Sequence, residues 1–186
     1  MIDFCTEWLA TGGVAVGFLL VFLESFLSFL PLSVFVAFNV NAFGFFIGTL
    51  ISWIATCLGS FLCYLLFFLL EDKIFYHIFH GKRIEKIRLN IYSFQKISLS
   101  QLVLIITLPF TPSFLVNIIC GISKVSYEKF LISLLIGKLF MIIFWGYIGS
   151  SILKSLTDIN SLLYIVFALG IAYFLSDYVG RKMNIK

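Results

Sequence analysis

The chain has 186 residues, of which 61% are hydrophobic and only 12% charged, and its mean hydropathy is +1.10. A soluble domain needs far more polar surface than this, so the composition marks an all-α integral membrane protein, with residues 1–186 forming a single membrane domain. The net charge of +4 fits basic loops that anchor a cytoplasmic face, and no nucleic-acid partner is expected.

The first residues, MIDFCTEW, carry Asp3 and Glu7 where a secretory signal would carry Lys or Arg, and they read as part of the mature protein. Apolar blocks follow at about 9–70, 97–122, 130–150 and 161–179. Crossing a hydrocarbon core about 30 Å thick takes roughly 20 helical residues at about 1.5 Å each. Residues 44–70, 130–150 and 161–180 are long enough for spanning helices. Residues 9–43 are interrupted by Pro31, and the arm 32–43 is too short to cross. Residues 99–121 are interrupted by Pro109 and Pro112, which leave arms of about 15 Å and about 12 Å. Each interrupted segment therefore reads as a re-entrant hairpin, which enters and leaves by one face and survives only inside protein or beside a wet cavity. The two share a spacing: Pro31 lies eight residues before Asn39, and Pro109 eight before Asn117.

With both hairpins re-entrant, the 71–98 loop, the 121–129 connection and the tail share one side, and that side holds eleven of the thirteen Lys and Arg. The opposite side has Lys154 with Asp3, Glu7 and Asp158. The positive-inside rule then puts the N-terminus outside and the C-terminus in the cytoplasm of a multi-pass cytoplasmic-membrane protein. Hairpin 9–43 enters from outside and hairpin 99–121 from inside, so the expected fold is two opposed re-entrant hairpins with spanning helices in an inverted repeat. Gly44, Gly48, Ser52, Thr56 and Ser60 form a small-residue stripe suited to close helix packing, as do Ala168, Ala172, Ser176 and Gly180. Ile84, Ile87, Ile91 and Phe94 predict an amphipathic helix lying on the cytoplasmic surface over 82–98.

No catalytic constellation or cofactor motif is present, and the chain is not expected to be an enzyme. Cys5, Cys57, Cys63 and Cys120 lack metal-ligand spacing and read as free thiols, while His77 and His80 read as interfacial side chains rather than metal ligands. Two ionisable residues fall in apolar surroundings, Glu24 and Lys138. A charge at that depth is costly unless it lines a cavity or binds something, and a carboxyl there can exchange a proton. Either side chain can alternatively snorkel to an interface. Asn39 and Asn41 of the first hairpin, with Thr107, Thr111, Ser113 and Asn117 of the second, either converge on a site or satisfy backbone freed by the prolines. Broken-helix ends add backbone donors at mid-membrane and favour an anionic group such as phosphate.

The segment LPFTPSFLVNIICGISKVSYEKFLISLLIGKLFMIIFWGYIGS resembles the signature of the DedA/VTT (SNARE-associated Golgi protein) superfamily, especially its Tvp-like branch, at Pro109, Pro112, Val116, Asn117, Gly121, Phe130, Gly137 and Gly149. LESFLSFLPLSVFVAFNVNAFG is similar to the first-hairpin motif, with Glu24 on its acidic position and Pro31 on its last proline. The resemblance covers about residues 15–150 and implies two opposed re-entrant hairpins. It also implies membrane lipids as partners, moved by an anionic phosphate head group, such as undecaprenyl phosphate or a phospholipid, with proton coupling in many members. Two positions depart from the pattern: Ile106 stands where many members place Arg, and Ser33 where an acidic residue is usual. Lys138 is a candidate to replace the missing cation.

The leading expectation is thus a lipid translocase, flippase or scramblase, with Glu24, Pro31, Asn39, Pro109, Pro112, Asn117 and Lys138 as transport residues and no cofactor. A homo-oligomer is compatible with it. The alternatives are a proton-coupled small-molecule or ion transporter on the same scaffold, and a non-transporting scaffold that recruits a partner through 82–98.

Overall fold

The computed structural model describes residues 2–27, 31–78 and 94–155 and the isolated positions 170, 171 and 174, with side chains over 13–27, 31–71 and 94–149 and at the isolated positions. Among the described residues every regular element is helical. In chain order these are α1 (Ile2–Leu27), α2 (Leu32–Phe43), α3 (Phe45–Ile78), a 3-10 turn (Phe94–Lys96), α4 (Leu99–Thr107), α5 (Ser113–Ile122) and α6 (Tyr127–Ser155).

Two helices are long and apolar enough to cross a membrane. The apolar part of α3 is Phe45–Glu71, 27 residues or about 40 Å, and that of α6 is Tyr127–Gly149, 23 residues or about 35 Å. Both helices outrun their expected ends, α3 to Ile78 and α6 to Ser155, because charge alone does not break a helix and no proline stands at either end. Glu71, where a loop was expected to begin, is a buried helical residue 3.7 Å from Lys124 Nζ. The third expected span, 161–180, lies outside the described residues apart from three isolated positions.

The remaining helices are short, and their interruptions have local causes. Gly13 takes φ 68° and ψ −170° and breaks α1. Pro31 is the N-cap of α2 and Pro112 that of α5; a proline needs no hydrogen-bonded N–H at the start of a helix. α4 begins with a capping box between Ser98 and Gln101 and ends at Leu108, whose carbonyl accepts from Thr111 N–H in the turn through Pro109. Phe94–Lys96 is a single 3-10 turn and Ser98 is an extended N-cap, so the surface helix expected over 82–98 does not run through its last residues. Residues 82–93 of that helix lie outside the described region.

α3 and α6 pack in opposite directions. Gly146 lies against Thr49 and Phe45 at the start of α3, while Tyr64, further along α3, stacks on Phe130 at the start of α6 with ring centroids 4.2 Å apart. Tyr64 also donates to Val125 carbonyl at 2.5 Å, tying the two helices at that end. α1 lies on α3, α4 on α6 and α5 on α3, while α2 lies between α3 and α6. Glycines set these approaches. A Cβ on Gly59 would fall 2.5 Å from Phe22 carbonyl, on Gly137 2.8 Å from Ile106 Cβ, and on Gly121 2.6 Å from Tyr64 carbonyl. Close backbone contact is how helices associate where apolar burial gives no net drive.

The small-residue stripe on α3 is buried from Gly48 through Ser52, Thr56 and Ser60, but Gly44 is not part of it. An added Cβ at Gly44 would meet nothing within 4 Å. Its φ of 80° instead turns the chain from α2 into α3, a conformation that glycine adopts without penalty.

Candidate transport site

The two proline breaks meet at one cavity. Its volume is about 340 Å³, and its wall takes Pro31 and Ser33 from the first break and Pro109, Thr111, Pro112 and Ser113 from the second. Glu24 and Ser25 complete the wall on the side of α1, and Lys138, Met141 and Trp145 on the side of α6. The last three stand at i, i+3 and i+7, so a single face of α6 presents them together.

Both helices that begin here lack a side-chain cap. The first bond at the start of α2 is Val34 N–H to Pro31 carbonyl at 3.0 Å, and at the start of α5 it is Val116 N–H to Pro112 carbonyl at 3.3 Å. The N–H groups of Leu32 and Ser33, and of Ser113, Phe114 and Leu115, precede those bonds. Helix starts of this kind carry partial positive charge, and two of them face one space. Three more polar groups add to them. Lys138 is 1% exposed and donates to Ser113 Oγ at 2.9 Å. Trp145 Nε1 and Ser25 Oγ are buried and have no hydrogen-bond partner among the described residues. A narrow crevice, too tight for a water molecule, leads from this region to Asn117 between Thr111, Ser113 and Lys138. Asn117 is 1% exposed, and its Nδ2 has no partner among the described residues.

Of the residues expected to carry transport, the structure brings Glu24, Pro31, Pro109, Pro112 and Lys138 to the cavity and Asn117 to its crevice. Asn39 goes elsewhere. Its Nδ2 donates to Gly17 carbonyl at 3.2 Å and to Ser52 Oγ at 3.0 Å, so its amide bolts α2 to α1 and α3. Gly17 and Gly48 leave room for it: an added Cβ at Gly17 would collide with Asn39 Oδ1, and one at Gly48 would fall 2.5 Å from the Asn39 carbonyl carbon. Asn41 donates to Ala37 carbonyl at 2.6 Å and Thr107 to Val103 carbonyl at 2.8 Å, each within its own helix. Of the polar set expected to converge, Thr111, Ser113 and Asn117 do so. Sequence reasoning missed Ser25 and Trp145; the i, i+7 spacing of Trp145 from Lys138 was the available signal for one of them. The His77 and His80 side chains lie outside the described set.

Two antiparallel apolar helices, with proline-broken helix pairs packed on them around a polar cavity, define a helical membrane protein. The chain belongs to the VTT-domain family, whose sequence profile matches residues 30–151, from the first break into the last turns of α6. The chain is 29% identical over 175 residues to the uncharacterized membrane protein YhjE of Bacillus subtilis (strain 168), over 94% of this chain and 83% of that protein. No solved structure matches the chain.

Proposed function

We propose that this protein is a lipid translocase, a flippase or scramblase rather than an enzyme, and that it passes a phosphate-bearing head group between the tips of two re-entrant hairpins. The observation that carries this reading is the convergence of both proline breaks on one polar cavity. Backbone broken at membrane depth is tolerated where it lines such a space, and uncapped helix starts suit an anionic head group. The inverted repeat has support of its own. Exchanging the halves α1–α3 and α4–α6 maps α1 on α3 onto α4 on α6, and α2 on α6 onto α5 on α3, around two antiparallel spanning helices, while the packing of α2 on α1 and α3 has no counterpart in the second half. Residues 14–27 of α1 reach about 21 Å, and α2, α4 and α5, with 12, 9 and 10 residues, about 18, 14 and 15 Å; none of these spans the core. Purified protein in liposomes should move labelled polyprenyl phosphate or phospholipid between leaflets. Rates no higher than in protein-free liposomes would refute the reading.

The proposed orientation in the cytoplasmic membrane, N-terminus outside and C-terminus inside, is tested separately. With the native cysteines replaced, cysteines substituted for Asn90 and Met183 should resist an impermeant thiol reagent in intact cells, and one substituted for Leu156 should react. Labelling at position 90 from outside would reverse the layout.

Proton-coupled transport is the second reading, favoured by a carboxyl on the cavity wall at Glu24. On that reading Glu24→Gln lowers the transport rate and abolishes its response to an imposed pH gradient. A mutant that keeps the wild-type response removes Glu24 as the coupling group.

A further inference from the structure

The cavity wall is chemically uneven. Its carboxylate, Glu24, comes from α1, while the second hairpin and α6 supply Lys138 Nζ, Ser113 Oγ, Asn117 Nδ2 and the uncapped start of α5. Lys138 is buried, and its hydrogen-bond partners among the described residues are one neutral hydroxyl, Ser113 Oγ at 2.9 Å, and one thioether, Met141 Sδ at 3.9 Å. An amine with three donor directions that is held by a single hydroxyl and a weak sulfur acceptor is poorly compensated for the water it has lost. Asn117 Nδ2 is in a similar position at the other end of the same crevice, buried and without a partner among the described residues. These two side chains line one crevice with Ser113 at the start of α5, and the Ser113 hydroxyl that Lys138 uses leaves Asn117 Nδ2 without a partner among the described residues.

A tetrahedral oxyanion satisfies this set. It has several acceptor oxygens at angles that an amine, an amide and a helix start can share, and charge-assisted bonds to it are stronger than the bond to a hydroxyl. We infer that Lys138, Asn117, Ser113 and the first turn of α5 form a phosphoryl subsite, in which Lys138 exchanges its bond to Ser113 for one to a phosphoryl oxygen. The Ser113–Lys138 bond is then the ligand-free state of the subsite, and the narrow crevice is its closed form. Ile106 packs against Gly137, next to Lys138 in the chain, and keeps this corner apolar apart from the donors. This inference rests on the head-group reading above, but it assigns the phosphoryl to one side of the cavity and to named donors.

The same chemistry is offered by a lipid phosphate and by free phosphate, so the test uses both. The full-length protein in detergent is titrated with dihexanoyl phosphatidic acid, dihexanoylglycerol or inorganic phosphate while its melting temperature is followed. Phosphatidic acid should raise the melting temperature and dihexanoylglycerol should not. In Lys138→Met the half-saturating phosphatidic acid concentration should rise about tenfold or more, as expected for loss of a hydrogen bond to a charged group. Lys138→Arg should stay within a few-fold of wild type, Asn117→Leu should weaken binding, and Lys96→Met on the exposed 3-10 turn should not. Lys138-dependent stabilisation by inorganic phosphate would support the subsite with a free anion as its ligand. Stabilisation by phosphatidic acid alone would support it with a lipid ligand. Equal affinity in wild type, Lys138→Met and Asn117→Leu would overturn the inference, and so would stabilisation by dihexanoylglycerol equal to that by phosphatidic acid. The two readings fail differently. Liposome transport that is unchanged in Lys138→Met sinks the subsite and leaves translocation standing, whereas Lys138-dependent binding without transport in wild type does the reverse.

Discussion

Gly48→Ala, the smallest possible side-chain addition, is expected to lower stability by about 2–4 kcal/mol and to reduce the yield of monodisperse protein. The added methyl would fall 2.5 Å from the Asn39 carbonyl carbon and 2.6 Å from Val40 Cα. Those atoms are backbone in the middle of α2, so they cannot turn aside as a flexible side chain would. Relief requires α2 to move off α3, and α2 also carries Val36 and Val40 into the cluster they form with Ile142 of α6. The bond from Asn39 to Ser52 spans the same contact and would lengthen with it. Gly170→Ala is the matching control, since an added Cβ there meets nothing within 4 Å. Melting followed in detergent for both mutants checks this, and a Gly48→Ala protein as stable as wild type would mean that α2 does not sit against α3 as described.

The second expectation separates two asparagines that share a spacing. Asn39→Leu should cost about 2–4 kcal/mol, because it leaves Gly17 carbonyl and Ser52 Oγ without their partner in a buried place, at about 1–3 kcal/mol each. Asn117→Leu breaks no bond made by its Nδ2, and Leu is easier to bury than an unsatisfied amide, so stability should stay within about 1 kcal/mol of wild type. Lipid translocation per folded molecule should show the opposite order, near wild type for whatever Asn39→Leu protein folds and largely lost for Asn117→Leu. The measurement is melting in detergent beside translocation in liposomes for each protein. Equal stability losses would make Asn117 a structural residue like Asn39.

This contrast also shows how far the sequence was legible. Pro31, Pro109 and Pro112 mark the helix breaks without ambiguity, because a proline acts on its own backbone and on the residue beside it. That 44–70 and 130–150 hold helices long enough to span follows from composition, but their ends do not, since α3 runs on to Ile78 and α6 to Ser155. The shared Pro-x7-Asn spacing leaves a site role open for both Asn39 and Asn117, because spacing along a helix does not determine what the facing helix offers. Asn39 finds Gly17, 22 residues away, and Ser52, 13 residues away, while Asn117 faces a crevice closed by Lys138. Gly44 fits a four-residue stripe and yet serves as a turn, since its φ of 80° is not visible in the letter G. Trp145 draws no site reading from the sequence, and only its place on the cavity wall, with a buried indole N–H that has no partner among the described residues, brings it in.

The proposal that the space between the two proline breaks is the path of the head group is tested most directly by filling it. In a background with the native cysteines replaced, Ser33→Cys at the first tip and Thr111→Cys at the second place thiols on opposite proline breaks of the same cavity, and Gln95→Cys places one on the exposed 3-10 turn. Each is alkylated with a small maleimide, the extent of modification is verified by mass, and lipid translocation is then measured in liposomes. The account predicts that modification at either tip stops translocation while modification at position 95 leaves it intact. Translocation at the unmodified rate, with both tip positions fully alkylated, would contradict it.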